Sequence, residues 1–272
     1  VGAGAGVGLP ERGTWSQTLA GSFAATPNSL VVTIGGLVYR TTDGVNWQRA
    51  SSADGTIDLA YDTPNHRVVA VTRAGVLTSV DGGASFSSLA GSPGGTRTAV
   101  DGLGRIYVVD WLGGGLRRLA AGTWSTLRSD AQIYDVVIDP TDNRRIVAVT
   151  NDYPFHDDAA ASGVWLSTDD GASWTARNEG LSMTRVSTAA FDPFVRGRLI
   201  VGTYGAGFWE IQLADGLIGP PTTTTVPTTT TSTTAAPTPT TVVNGKTLIV
   251  DRALMGAIAD AARSRERVLG GG

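Results

Sequence analysis

The chain has no cysteine. That excludes a disulfide scaffold, a thiolate metal site and a cysteine nucleophile, and with them several enzyme classes. Lysine is almost as scarce: Lys246 is the only one, and the arginines are scattered without forming a basic cluster. With a net charge of −3 and a calculated pI of about 5.4, the chain makes a poor partner for nucleic acid or an anionic membrane surface. No apolar run approaches the roughly 20 residues that cross a bilayer, so no membrane insertion is expected. Val1 to Pro10 has neither an initiating Met nor a basic flank, and the chain reads as a mature or excised form with residues 1–10 as a flexible arm. The glycines among residues 1–8 do not make a phosphate loop, because no strand precedes them and no Lys or helix follows.

What the 272 residues do hold is glycine, 36 in all, and 41% hydrophobic residues. Many turn formers and few charges point to an all-β chain with enough apolar area for a sizeable core.

One stretch organises the rest. Ser167-Thr168-Asp169-Asp170-Gly171-Ala172-Ser173-Trp174 repeats the pattern of Ser79-Val80-Asp81-Gly82-Gly83-Ala84-Ser85-Phe86, and a shorter copy stands at Thr41-Thr42-Asp43-Gly44-Val45-Asn46-Trp47. Each follows a short apolar run and delivers an aromatic into the next, so each joins two strands as a hairpin turn. The carboxylates of Asp43, Asp81 and Asp169 can accept backbone N–H groups of their own turns, Gly83 and Gly171 supply positive φ, and Trp47, Phe86 and Trp174 pin the turn to the strands.

The pattern resembles the Asp-box, or bacterial neuraminidase repeat, of sialidases, xyloglucan hydrolases and sortilin-type receptors. The resemblance spans residues 15–214 or so and implies a β-propeller in which each box joins the third and fourth strands of a blade, on the face opposite the active site. It therefore speaks for fold more than for activity.

A period of about 40 residues agrees with this. Asp58 to Asp62, Arg67 to Thr72, Gly75 to Thr78 and then the box align with Asp135 to Asp139, Arg145 to Thr150, Gly163 to Leu166 and then the box; weaker copies occupy residues 22–49, 98–127 and 188–213. Five four-stranded blades are expected over residues 11–216. The fifth lacks its own fourth strand, and Gly13-Thr14-Trp15-Ser16-Gln17-Thr18-Leu19, which matches Gly122 to Leu127, is expected to close the ring from the N-terminal side. The alternative is a fragment of a six- or seven-bladed ring. Residues 217–243, nearly all Thr and Pro from 220 to 241, read as an extended linker of a kind often O-glycosylated, which suggests a secreted or cell-surface protein. Residues 244–272 read as a short strand followed by a helix behind Asp251, either the start of a further module or a helix over 251–269 that docks a partner.

The resemblance implies that the loops from second to third strands and from each blade to the next line the mouth of the central channel, which sets Arg73, Asp110, Trp111, residues 151–162 and Tyr204 there. The insertion in the fourth repeat gathers Asp152, Tyr153, Phe155, His156, Asp157 and Asp158. It could be a solvated polar loop. It could be a glycan platform, with Trp111, Tyr153 and Tyr204 as stacking faces and Arg73, Asp110 and Asp152 as hydrogen-bonding groups. It could also be a metal or catalytic site on His156, Asp157 and Asp158, although adjacent side chains seldom converge on one ion. His66, after Pro64-Asn65, reads as a surface turn residue.

The catalytic sets that the resemblance implies do not fit. The Arg-Ile-Pro motif of sialidases is missing and Glu is nearly absent from the mouth loops. Gly35-Gly36-Leu37-Val38-Tyr39-Arg40 is similar to a xyloglucan hydrolase segment, but Ile34 stands where the catalytic Asp would precede it. The expectation is thus a binding module for glycan or protein, with no metal and no cofactor; the alternative is a secreted glycoside hydrolase with Asp110 and Asp152 as acid and base.

Overall fold

The computed structural model describes residues 20–110, 113–130, 132–151, 161–192, 194–213, 240–243 and 246–249. Among them there is no helix. The strands fall into five antiparallel meanders. Blade 1 is β1 (Ala20–Ala25), β2 (Leu30–Ile34), β3 (Leu37–Thr41) and β4 (Gln48–Arg49). Blade 2 is β5 (Thr56–Asp62), β6 (Arg67–Thr72), β7 (Val76–Ser79) and β8 (Ser87–Ser88). Blade 3 is β9 (Arg97–Val100), β10 (Ile106–Asp110), β11 (Gly115–Ala120) and β12 (Thr123–Arg128). Blade 4 is β13 (Ile133–Asp139), β14 (Asp142–Thr150), β15 (Val164–Ser167) and β16 (Thr175–Ala176). Blade 5 has three strands among the described residues, β17 (Val186–Phe191), β18 (Arg198–Thr203) and β19 (Gly207–Gln212). The proposed closing strand, residues 13–19, lies outside the described residues, as do the arm 1–10 and the helix proposed over 251–269.

The first strands β1, β5, β9, β13 and β17 are successive neighbours, and blade packs on blade through apolar faces. Ala24, Val31 and Val38 of blade 1 meet Leu59, Tyr61 and Phe86 of blade 2. Val69, Val71 and Val76 then meet Ile106 and Val108 of blade 3. Tyr107 and Leu116 meet Ile138 and Ile146 of blade 4, and Val147 and Val164 meet Leu199 and Ile211 of blade 5. A middle blade is covered on both sides, which is why Val68 to Val71 and Ile146 to Val149 are apolar without alternation and wholly buried. The terminal blades differ. In β2, burial alternates residue by residue, and blade 5 leaves Ile200 and Phe208 exposed, Phe208 at 79%.

Two repeated polar devices hold the blades. The Asp58 carboxylate accepts the Thr98 N–H of the next blade at 2.9 Å, and Thr188 Oγ1 lies 3.4 Å from Asp135 two repeats on. These span neighbouring first strands that splay too far for a backbone ladder. The second device is an ion pair across the first hairpin of blades 2 to 5: Arg67 with Asp62, Arg105 with Asp101, Arg145 with Asp139, and Arg198 with Asp192. The same carboxylates accept N–H groups of the turn, as Asp62 does from Asn65 and Asp192 from Phe194. In blade 1 the pair is replaced by Thr26 and Ser29, 2.8 Å apart.

Downstream, β20 (Thr240–Val243) pairs with β21 (Lys246–Ile249), which lies against β1 and β5. A strand thus forms at the end of the segment read as linker. The sequence reason is two runs rich in Thr, Val and Ile on either side of Asn244-Gly245, a dipeptide suited to a two-residue hairpin.

Candidate functional site

An antiparallel meander sends its first and third turns to one end of the blade and its second turn, with the connection to the next blade, to the other. The box turns stand between third and fourth strands in blades 1, 2 and 4, so they share the first end. Their geometry is nearly the same in all three. Asp81 accepts from Ser79 Oγ at 2.7 Å, from the N–H groups of Ala84 and Ser85 at 3.0 Å, and from Ser85 Oγ at 2.6 Å. Asp169 accepts from Ser167 Oγ at 2.8 Å, from the Ser173 N–H at 2.8 Å and from Ser173 Oγ at 2.6 Å. Asp43 takes the N–H groups of Val45 and Asn46 and the Asn46 amide. Gly83 and Gly171 have φ of 88° and 86°. Phe86 is buried against blade 1, Trp174 packs on the cluster between blades 3 and 4 with its Nε1 donating to the Gly171 carbonyl, and Trp47 is half-buried.

The box carboxylates themselves are exposed, and hydrogen bonds hold them acidic. The Ser173 hydroxyl, the Ser173 N–H and the Ser167 hydroxyl lower Asp169 from 3.8 to about 2. At Asp81 burial pushes upward, but Ser85, Ser79 and the turn amides outweigh it and hold the group well below the ordinary range. A group whose folded pKa is depressed stabilises the fold above its unfolded pKa and loses that contribution as pH falls through the folded one. Stability should therefore decline between about pH 4 and pH 2. Asp169→Asn should flatten that part of the profile in urea unfolding followed against pH; an unchanged acid limb would show that the box does not titrate with folding.

The mouth lies at the other end. Arg73, between β6 and β7, reaches Asp110 at the end of β10 across the blade 2–3 boundary, with 3.9 Å between Nη1 and the carboxylate. Asp110 is held under a glycine run: the N–H groups of Gly113 and Gly114 donate to its carbonyl, and a Cβ at Gly114 would stand 2.6 Å from the Asp110 Cβ. On the other face of blade 3, Arg97 pairs across the ladder with Val109, and its guanidinium lies 5.2 Å from the Tyr134 ring centre of blade 4. Arg73 with Asp110 at the blade 2–3 boundary and Arg97 with Tyr134 at the blade 3–4 boundary are thus two separate contacts at the same end of the blades. Arg97 and Tyr134 are not marked in the sequence, because they sit at strand starts rather than in loops and meet only across the blade 3–4 boundary.

Tyr204 stands exposed in the β18–β19 turn of blade 5, two blades from Asp110, with its N–H donating to the Arg185 carbonyl. Trp111, Asp152, Tyr153 and His156 lie outside the described residues, and Asn151 precedes that stretch buried, its N–H donating to the Gln132 carbonyl. Among the described residues no three His, Asp or Glu side chains group as a metal site. No helix among them is long and apolar enough to cross a membrane.

No family model and no curated protein matches the chain. Solved structures do. A GH74 xyloglucanase from Xanthomonas campestris is 18% identical with a TM-score of 0.58, over 73% of this chain and 37% of its own. The extracellular domain of a hybrid two component system protein from B. thetaiotaomicron gives 11% and 0.54, over 72% of this chain and 27% of that one. YCF48 bound to a peptide gives 12% and 0.50, over 71% and 64%. The chain spans little more than a third of the length of the GH74 enzymes it matches. Identities this low speak to architecture alone, and the architecture is that of a β-propeller.

Proposed function

We propose that this chain is an exported Asp-box propeller module that binds a glycan or protein ligand across its mouth and has no catalytic role. The observation that carries the reading is the two contacts that adjacent blades make at this end, Arg73 with Asp110 and Arg97 with Tyr134: charged groups and an aromatic face suit hydroxyl, carboxylate or backbone groups of a ligand. Trp111, Asp152, Tyr153, His156 and Tyr204 extend this surface in the proposal. Residues 11–216 are the propeller unit, residues 217–243 the spacer, and residues 244–272, including the helix proposed over 251–269, the attachment to a further module or partner. The box residues are structural and lie at the far end from the ligand.

A glycan array followed by a hydrolysis screen on each hit tests the reading. Tyr134→Ala and Asp110→Asn should each weaken binding by roughly tenfold or more, the scale of a charged hydrogen bond or a stacked ring. Turnover of a bound glycan that vanishes in Asp110→Asn/Asp152→Asn would replace the module by a glycoside hydrolase. Binding that survives Tyr134→Ala, Trp111→Ala and Tyr153→Ala together would place the ligand elsewhere.

A further inference from the structure

The box end of the blades contains two equivalent grooves that differ at two positions. Strand register makes Arg40 of blade 1 and Arg118 of blade 3 the same position: each lies in the third strand of its blade, and they pair with Val31 and Tyr107. Each reaches over the box of the next blade. Arg118 meets Asp170, with Nη1 2.8 Å from the carboxylate and 3.0 Å from the carbonyl oxygen, and Arg105 binds the same carboxylate at 2.8 Å.

In the blade 1–2 groove the position of Asp170 is Gly82 and that of Arg105 is Ser29. The Ser29 hydroxyl already donates to the Gly82 carbonyl at 2.7 Å, and Arg40 Nη2 would stand 3.8 Å from a Cβ at Gly82. The Nε of Arg40, like that of Arg118, is buried without a partner, but among the described residues no hydrogen bond or ion pair engages any other nitrogen of Arg40, whereas Arg118 Nη1 holds Asp170. The space that the carboxylate and the second arginine fill in one groove is, in the other, a cavity of about 380 Å³ lined by Asn28, Arg40, Thr42, Tyr61, His66 and Gly82 among others. Asp81 also lines it, with both oxygens already engaged by its own turn.

We infer that this cavity binds a small carboxylate ligand, whose carboxylate takes on Arg40 the place that Asp170 takes on Arg118. A guanidinium accepts a carboxylate through paired, charge-assisted hydrogen bonds. One arginine opposite one engaged aspartate favours a monoanion over a phosphate dianion. The volume suits a molecule of amino-acid or monosaccharide size, with Tyr61 as an apolar wall and Asn28 and Thr42 as partners for hydroxyl groups. The site is independent of the mouth, since it lies at the opposite end of the blades.

The test is a titration of the full chain with acetate, glucuronate, glucose and inorganic phosphate. Acetate or glucuronate should bind where glucose does not. Arg40→Gln should weaken that binding by roughly tenfold or more. Gly82→Asp should do the same by installing the missing carboxylate, and should also raise the urea midpoint as Arg40 gains a partner. Asp is tolerated there because Asp170 holds the same backbone conformation at φ 65°, although the Ser29 hydroxyl must give way by a few tenths of an ångström. Lack of binding by both carboxylates, equal binding of glucose, tighter binding of phosphate, or carboxylate binding indifferent to both variants would each overturn the inference.

Discussion

Asp101→Ala is expected to cost about 3–5 kcal/mol of folding stability, the scale of breaking a buried ion pair from one side. The carboxylate has no exposed side-chain surface. One oxygen accepts the N–H groups of Leu103 at 2.9 Å and Arg105 at 3.0 Å; the other accepts Arg105 Nε at 2.5 Å and the Tyr107 hydroxyl at 3.0 Å. Tyr107 is wholly buried, and burial first, then the Asp101 charge, pushes its phenol above the ordinary range, so it stays a donor. Truncation strands a phenol and two amides and leaves Arg105 with Asp170 and the Asn143 carbonyl. The measurement is a urea midpoint at constant m-value. Asp54→Ala is the control, because the Arg49–Asp54 pair has side chains 52% and 67% exposed and should leave the midpoint where it is. Equal midpoints for the two variants would show that the repeated Asp–Arg pair does not hold the blades.

The second large effect is expected at a box glycine. Gly83 has φ 88°, and a Cβ there would stand 2.5 Å from a methyl of Val31 in blade 1. Gly44, the counterpart glycine of the shorter copy, has φ 74° and nothing within 4 Å of its Cβ. Gly44→Ala should therefore lose only the left-handed backbone penalty, about 1–2 kcal/mol. Gly83→Ala adds overpacking against the neighbouring blade and should lose about 2–5 kcal/mol in all. Val31→Ala in the Gly83→Ala background should recover part of that difference, which a double-mutant cycle reads directly. No recovery would mean that the box glycine serves its turn and not the blade interface.

Much of the architecture was legible in the residues. Asp43, Asp81 and Asp169 at repeated spacing located three hairpin turns, and the 40-residue period located the first three strands of every blade. The box geometry is local chemistry, a carboxylate satisfying donors within four residues of itself, so sequence spacing suffices. The mouth was legible only where the repeat alignment marked turns. Arg73 and Asp110 were found because the alignment sets them where the second strand of a blade ends, whereas Arg97 and Tyr134 form their contact across blades and leave no mark within one repeat. The Asp–Arg pairs recur in four repeats, yet what they do depends on both side chains leaving a strand on the same side.

By itself, then, the sequence determined an all-β repeat whose turns are built from Ser, Asp, Gly and an aromatic, because those properties arise within eight residues. The tertiary structure alone decided what the turns face. Arg40 and Arg118 are indistinguishable in their own strands. Packing of each blade on the next sets Asp170 opposite one and Gly82 opposite the other, so that one arginine is neutralised and the other looks into a cavity. That difference is a pairing of residues 42 and 52 positions apart, and only register between blades can make it.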